Sequence, residues 1–241
     1  RYSFSWPRDT YIALLGYSIL NYDEEIEKYY VNFLRKTQNR DGFWEQRFYT
    51  EGSLAPSWGY QVDETAAVIS GAWYYYSVTK NIEFLKDNFN VLEKAVKFLI
   101  KYTNKVLDGE ESLTYDIWET HKGENTYSLG SVFLALNSML NIYNVVMGEY
   151  FKNRLRLEQI RSKKAKIEDI LPKLKRHIYV EFYDEEMETF TRSNKDKVID
   201  ISSILLSSIF DVFSPREKKM KNTLERIDEK LKTPSGGYLR Y

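Results

Sequence analysis

Apolar residues recur at helical spacing through most of the chain, and this periodicity is the feature that most constrains the fold. The clearest stripe lies at 129–147, where apolar side chains return every three or four residues. Two-residue alternation typical of strands is sparse, and the one candidate lies at 182–193. The pattern predicts helices over 9–20, 23–34, 64–78 with Asp63 as its N-cap, 81–102, 129–147, 152–176, 199–213, and from after Pro215 to Lys232.

Helices of this kind form hairpins, and a lone hairpin cannot bury its apolar face. We therefore expect an all-α fold in which each hairpin covers its neighbours, as in a solenoid or toroid. The sequence shows no strict repeat and no low-complexity linker. Residues 1–241 are accordingly interpreted as one domain.

Charge excludes several classes of partner. The chain has 35 basic and 35 acidic residues, so no overall field attracts nucleic acid or an anionic membrane. The basic stretch 152–176 has no interleaved aromatic residues, and we interpret it as a solvated helix with Leu155, Ile160, Ile167 and Leu171 turned inward. No apolar run has the length of a membrane span, so no membrane partner is expected. The oligomeric state is not indicated.

Cysteine and histidine usage limits the chemistry further. The chain has no cysteine, and its two histidines, His121 and His177, lie far apart in sequence. We expect no disulfide, no metal site and no cofactor. The absence of cysteine fits a reducing compartment, and no signal peptide is visible, so a cytoplasmic location is expected. The chain does not begin with Met and is interpreted as a piece of a longer protein.

Aromatic residues are the one compositional outlier, with 20 Tyr, 13 Phe and 5 Trp. Several lie in loops among glycine, proline and charged residues, where burial in a core explains them less well. Aromatic faces stack on sugar rings or on bases. With the charges balanced, sugars are the favoured ligands.

The acidic loop 113–120 carries the candidate chemistry. Asp116 and Glu119 are three residues apart and would share a face of a helix or tight turn, with Trp118 between them. A nearby carboxylate and an apolar wall both disfavour ionisation of Glu119, and a general acid needs a carboxyl group that keeps its proton. The competing interpretation is an exposed acidic loop with one buried tryptophan, because such short patterns are common.

Five motifs occur in a fixed order along the chain: YSFSWPRD at 2–9, DGFW at 41–44, GSLAPSWGYQVDET at 52–65, DIWE at 116–119 and GGYLRY at 236–241. Together they resemble the glucoamylase family of inverting glycosidases (glycoside hydrolase family fifteen), in particular its archaeal and bacterial branch. The resemblance implies a six-hairpin (α/α)6 barrel, of which this chain would supply only part. It also implies hydrolysis of a terminal α-linked glucose from malto-oligosaccharides or starch-like glucans, with inversion.

The resemblance also assigns roles to single residues. Glu119 matches the general acid, and Asp116 the aspartate that tunes and orients it. Further matches suggest contacts with the substrate: Tyr2 stacks beneath the terminal glucose, Trp58 lies near the scissile bond, and Trp6, Arg8, Asp9, Trp118, Arg240 and Tyr241 line the sugar site. Asp63 and Glu64 fall in a matching stretch, but we interpret them as helix capping and packing residues.

The chain departs from the family pattern in two places. Thr120 stands where the family usually has a second acidic residue, which leaves the substrate open. The family's general base lies downstream of the motif at 236–241, so no carboxylate here matches it, and this chain alone is expected to have little activity. Trehalase of the same family, a non-catalytic sugar-binding protein and a helical scaffold for protein partners remain the alternatives.

Overall fold

The computed structural model describes residues 3–20, 22–149 and 154–241, and in them helices predominate. The second helix has a π-helical middle, Tyr29–Leu34, that joins Asp23–Lys28 to Arg35–Thr37, and we treat the three parts as α2. The other helices are α1 (Pro7–Ile19), α3 (Val62–Thr79), α4 (Ile82–Leu107), α5 (Thr126–Glu149), α6 (Arg154–Phe182) and α7 (Lys218–Leu231). The expectation of an all-α fold is confirmed.

Alternate helices form an inner layer. α3 packs against both α1 and α5, while α4 and α6 cover the outside of α3 and α5. The inner position of α3 explains its sequence, since every residue from Val62 to Ala72 is buried. Two glycines permit the close packing: a Cβ at Gly71 would lie 2.6 Å from the Tyr30 hydroxyl, and one at Gly130 would lie 2.5 Å from the Phe210 ring.

Three short antiparallel strand pairs lie beside the helical layers, and the second and third of them are hairpins. β1 (Phe4–Ser5) pairs with β2 (Phe48–Tyr49), β3 (Thr114–Tyr115) with β4 (Lys122–Gly123), and β5 (Tyr183–Asp184) with β6 (Thr189–Phe190). The third hairpin confirms the strand-like excursion expected at 182–193. The second holds the acidic loop at its tip.

The predicted helix over 199–213 is wrong. Only a 3₁₀ turn, Ile201–Ile204, and one α-helical turn, Leu205–Ser208, form there. Four serines lower the helix propensity of this stretch. The chain then leaves the helix, because the N–H groups of Val212 and Phe213 both turn back to the carbonyl oxygen of Leu206.

Two side-chain placements differ from expectation. Asp63 lies in the first turn of α3 rather than at its N-cap, which is Gln61. On α6, Ile160 and Ile167 are fully buried as expected, but Leu155, in the first turn, is 71% exposed.

Apolar surface is distributed unevenly over the fold. By length and composition, α5 could cross a membrane at Thr126–Gly148, contrary to the sequence expectation, although 61% of the apolar window is buried inside the fold. Exposed apolar side chains also occur near the two ends of the chain, with Ile12, Ile19 and Leu20 at α1 and Leu224 and Leu239 at or after α7.

Candidate active site

The acidic loop forms a tight turn at the tip of the β3–β4 hairpin. The backbone N–H of Glu119 donates to the carbonyl oxygen of Asp116 over 3.0 Å, and Glu119 adopts a left-handed conformation with φ of +61°. A side chain held there costs about 1–3 kcal/mol, and such strain clusters at functional sites. The turn therefore presents Glu119 at a cost that the surrounding contacts must offset.

Asp116 holds that turn together. Its buried carboxylate accepts hydrogen bonds from the backbone N–H groups of Thr120 (2.8 Å) and His121 (3.0 Å), and from the Thr120 hydroxyl (3.2 Å). Thr120, the departure from the family pattern, thus contributes a second bond to the same carboxylate. The geometry lets Asp116 orient the loop that carries Glu119.

Two indole groups fix the carboxylate of Glu119. Trp6 Nε1 donates to its Oε1 over 3.0 Å and Trp58 Nε1 donates to its Oε2 over 2.5 Å. The guanidinium of Arg8 lies 3.9 Å from Oε1. The side chain of Glu119 is 19% exposed, so it remains open to a ligand. Three residues distant in sequence therefore converge on one carboxyl group.

A buried ionic cluster lies beneath this carboxylate. The Arg8 Nη1 atom is 2.8 Å from Asp63 Oδ2 and 3.2 Å from Glu64 Oε1, and the backbone N–H of Arg8 donates to Glu64 Oε2 over 2.6 Å. All three side chains are more than nine-tenths buried. We call these residues the Arg8 cluster. It joins the N-terminal turns of α1 and α3, and it gives Asp63 and Glu64 a role that the capping interpretation missed.

Protonation in the Arg8 cluster follows from one cation facing two carboxylates. Burial raises the pKa of Glu64 well above its ordinary value and raises that of Asp63, against the opposing charge of Arg8. Burial alone would lower the pKa of Arg8, but the charges of Glu64 and Asp63 outweigh it and raise the pKa. Arg8 therefore stays charged, and of the two carboxyl groups Glu64 is the one whose pKa is raised well above its ordinary value.

A cavity of about 540 Å³ opens above this cluster. Asp9 lies at its wall with 61% of its side chain exposed, and its carboxylate is 3.5 Å from Arg8 Nε. This volume suits a small ligand, and the lining mixes aromatic faces with charges of both signs. The lining residues are Phe4, Trp6, Arg8, Asp9, Ile12, Arg47, Ile117, Trp118, Glu119 and Arg240.

Trp118 is held by residues near the end of the chain. Its Nε1 donates to Asp200 Oδ2 over 2.8 Å, and the Arg240 guanidinium lies 4.9 Å from the centre of its ring. Asp200 is fully buried, and burial raises its pKa. The sequence analysis found Trp118 and Arg240 but missed Asp200, because nothing local distinguishes it from an ordinary capping aspartate.

Arg47 was also missed. Its guanidinium lies 4.5 Å from the centre of the Trp58 ring and 5.1 Å from that of Phe4, and its Nε donates to the Pro56 carbonyl oxygen over 2.5 Å. A cation against several aromatic faces holds the rings in place. Its position in a loop rich in aromatic residues was the only available signal.

The remaining predicted site residues are less central or lie outside the description. Tyr241 does not line the cavity; its ring lies 4.2 Å from the Arg192 guanidinium and 6.4 Å from the His121 ring. Trp58 is 58% exposed and does not line the cavity itself, but it contacts two residues that do, Glu119 and Arg47. Tyr2 lies outside the described residues. Among the residues that are described, no group of three or more His, Asp or Glu is placed to hold a metal ion.

Comparison with known proteins assigns the chain to a family. The sequence profile of glycosyl hydrolases family 15 matches residues 1–235. The chain belongs to this family. An uncharacterized glycosyl hydrolase of Methanocaldococcus jannaschii is 27% identical over 248 residues, which cover all of this chain and 36% of that protein.

Solved structures share the fold. The glucoamylase from Saccharomycopsis fibuligera superposes with a TM-score of 0.70 at 16% identity, over all of this chain and 58% of that one. A bacterial glucoamylase complexed with acarbose gives a TM-score of 0.71 at 18% identity, over 98% of this chain and 35% of that one. The fold is therefore part of a glucoamylase-like helical toroid. The chain spans only about a third to three-fifths of the proteins it matches.

Proposed function

We propose that the protein containing this chain removes terminal α-linked glucose from malto-oligosaccharides or starch-like glucans with inversion, and that Glu119 is its general acid. The observation that carries the proposal is the placement of Glu119. Its carboxylate is partly exposed at the wall of the cavity, and two indole N–H groups fix its direction. Membership of family 15 supplies the reaction class.

The residues suit proton donation to a glycosidic oxygen. A protonated Glu119 would transfer its proton to that oxygen as the bond to the anomeric carbon breaks. Around it, the rings of Trp6 and Trp118 offer faces for a sugar, while Asp9 and Arg240 offer polar groups for its hydroxyls. Arg8 would act by holding α1 in position, and Asp116 by holding the acidic loop in position.

Inversion requires a second carboxylate that activates water, at about 6.5–9.5 Å from the acid. We assign that general base to a part of the protein beyond this chain. The proposal concerns the whole protein, and this chain would provide the acid side of its site.

The test compares the full-length protein with its Glu119→Gln variant on maltose, maltotriose and trehalose, with the released anomer followed by NMR. We expect β-glucose first, and a loss of about a hundredfold or more in the variant, because general acid catalysis contributes about 10²–10⁴-fold. Glu225→Gln is the matched control, since Glu225 is an exposed carboxylate on α7.

Each outcome selects among the alternatives. Preference for trehalose would make the protein a trehalase of the same family. Release of α-glucose first would contradict inversion. Retained sugar binding without hydrolysis of any α-glucoside would contradict the proposed enzymatic activity and would indicate a carbohydrate-binding protein.

A further inference from the structure

A second cavity lies away from the candidate active site, between the outer helix α4 and the loops at 40–43 and 111–113. Its volume is about 720 Å³, within the range of small-molecule sites. None of its lining residues lines the cavity at Glu119. We call it the α4 cavity.

Positive charge is concentrated around this cavity. Two acidic residues, Asp41 and Glu111, line it beside five basic residues, Arg40, Lys94, Lys97, Lys101 and Lys105. The whole chain, by contrast, has equal numbers of acidic and basic residues. An excess of one sign inside a concave, low-dielectric wall attracts ligands of the opposite sign.

The four lysines follow one face of α4 at spacings of three and four residues, so neighbouring charges repel one another. Among described residues, only Lys105 of the five has an ion-pair partner, Glu110 at 3.7 Å. On α6, an ordinary solvated helix, basic residues pair with acidic ones one turn away, as in Arg154–Glu158, Lys164–Glu168 and Lys173–Asp169. The α4 stripe lacks this compensation.

The wall of the cavity is aromatic and fixed. The rings of Phe43, Tyr60 and Phe98 pack against one another with centroids 4.9–5.8 Å apart. The loop that carries Phe43 touches α4 at Gly42, where a Cβ would lie 2.4 Å from the Lys94 carbonyl oxygen. Gln38 bonds this loop to α4 through the Gly42 and Val91 carbonyl oxygens. The wall therefore needs no rearrangement to offer a ring-binding face.

We propose that the α4 cavity binds a small organic phosphate, in which a phosphate ester is attached to a sugar or base ring. The lysines bind the phosphate and the aromatic wall takes the ring. A sugar phosphate and a nucleotide share this chemistry. The inference stands apart from the proposed hydrolysis, because the cavity shares no lining residue with the candidate active site.

The test is calorimetric titration of the full-length protein with glucose 6-phosphate, AMP, inorganic phosphate and glucose. We expect at least one phosphate ester to bind more tightly than inorganic phosphate, and more weakly as salt is added. The double variant Lys97→Ala/Lys101→Ala should weaken that binding by about tenfold or more, since two charge-assisted contacts are lost. Glucose affinity and α-glucoside hydrolysis should be unchanged.

The double variant Lys166→Ala/Lys221→Ala is the matched control, because it removes two exposed lysines of α6 and α7 and should bind as the wild type does. Phe98→Leu keeps an apolar side chain but removes the ring, and should weaken binding of the ester without weakening binding of inorganic phosphate. Whichever ester binds more tightly identifies the source. The proposal is overturned if no ester binds, if inorganic phosphate binds equally well, or if Lys97→Ala/Lys101→Ala binds as the wild type does.

Discussion

The buried Arg8 cluster and the acidic loop above it handle charge in opposite ways. In the cluster, Arg8 is enclosed with Asp63 and Glu64, each more than nine-tenths buried, and burial is the main cause of the raised pKa of the two carboxyl groups. In the loop, Glu119 keeps a partly exposed carboxylate whose partners are neutral indole N–H groups. The two sites are connected by Arg8, whose Nη2 lies 3.9 Å from Glu119.

This contrast separates anchoring from chemistry. The cluster lies on the first turns of two inner helices, so its position is set by the packing of α1 against α3. Glu119 and Trp58 lie in loops, where side chains can meet a ligand. We therefore expect changes in the cluster to appear mainly in stability, and changes in the loop mainly in activity.

The largest effect is expected from Arg8→Met. This change keeps an unbranched side chain but removes the one cation that, among the residues the structure describes, faces the buried carboxylates of Asp63 and Glu64. Removing one partner of a buried ion pair costs about 3–5 kcal/mol. Chemical denaturation of the full-length protein should show that loss in unfolding free energy.

Asp9→Asn is the comparison variant for Arg8→Met. Asp9 also contacts Arg8, but it is largely exposed, so the loss should stay below about 1 kcal/mol. Equal losses in the two variants would show that the Arg8 cluster does not anchor the helices as argued.

A smaller effect, dependent on pH, is expected from Glu64→Gln. Burial raises the pKa of Glu64 in the folded state above its ordinary value of 4.5. The folded protein then binds more protons than the unfolded one, so the contribution of Glu64 to stability is present at pH 4.5 and below and is lost as pH rises toward the raised pKa. A glutamine keeps the acceptor for the Arg8 N–H without this loss.

The measurement is the unfolding free energy of both proteins from pH 4.5 to 8. The unfolding free energy of Glu64→Gln should increase relative to that of the wild type as pH rises, by at most about 1.4 kcal/mol per pH unit. Glu225→Gln, on the exposed face of α7, should run parallel to the wild type. Parallel curves for Glu64→Gln would mean that Glu64 is ionised in the fold over the whole range.

These differences also separate what the sequence could predict from what it could not. Helical periodicity is a local signal, and it placed both ends of α4, α5 and α6 within six residues of their observed positions. It failed at 199–213, because apolar residues there keep helical spacing while the backbone turns back at Leu206. The position of Glu119 was expected from the resemblance to glucoamylases, and its catalytic role stays a prediction.

The missed residues depend on contacts that no local pattern contains. Trp118 and Asp200 are 82 residues apart, and Arg8 and Asp63 are 55 apart. An aspartate in the first turn of a helix is already explained by its favourable interaction with the helix dipole. The sequence therefore gives no reason to expect a second role for it. Only the packing of α1 against α3 shows that Asp63 meets a buried guanidinium instead.

The smallest change in stability, with a measurable change in activity, is expected from Trp58→Phe. Trp58 is largely exposed, and phenylalanine retains a ring for Arg47 to contact. The free energy of unfolding should therefore change by no more than about 0.5 kcal/mol. The indole N–H bonded to Glu119 Oε2 is lost, which leaves the carboxylate held by Trp6 alone. Glu119 acts in its protonated form, and a hydrogen bond between neutral groups is worth about 0.5–1.5 kcal/mol, so kcat should fall by about two- to tenfold.

Trp73→Phe is the matched control, because Trp73 lies within α3 and packs against Tyr76 away from the cavity. Steady-state kinetics of the full-length protein on maltotriose should show the loss in kcat for Trp58→Phe but not for Trp73→Phe. A rise in KM with unchanged kcat would mean that Trp58 contacts the sugar and does not direct the acid. Since Glu119 occupies a strained left-handed turn, losing one of its two indole partners should release the side chain to other rotamers, and a loss confined to kcat is the signature of that release.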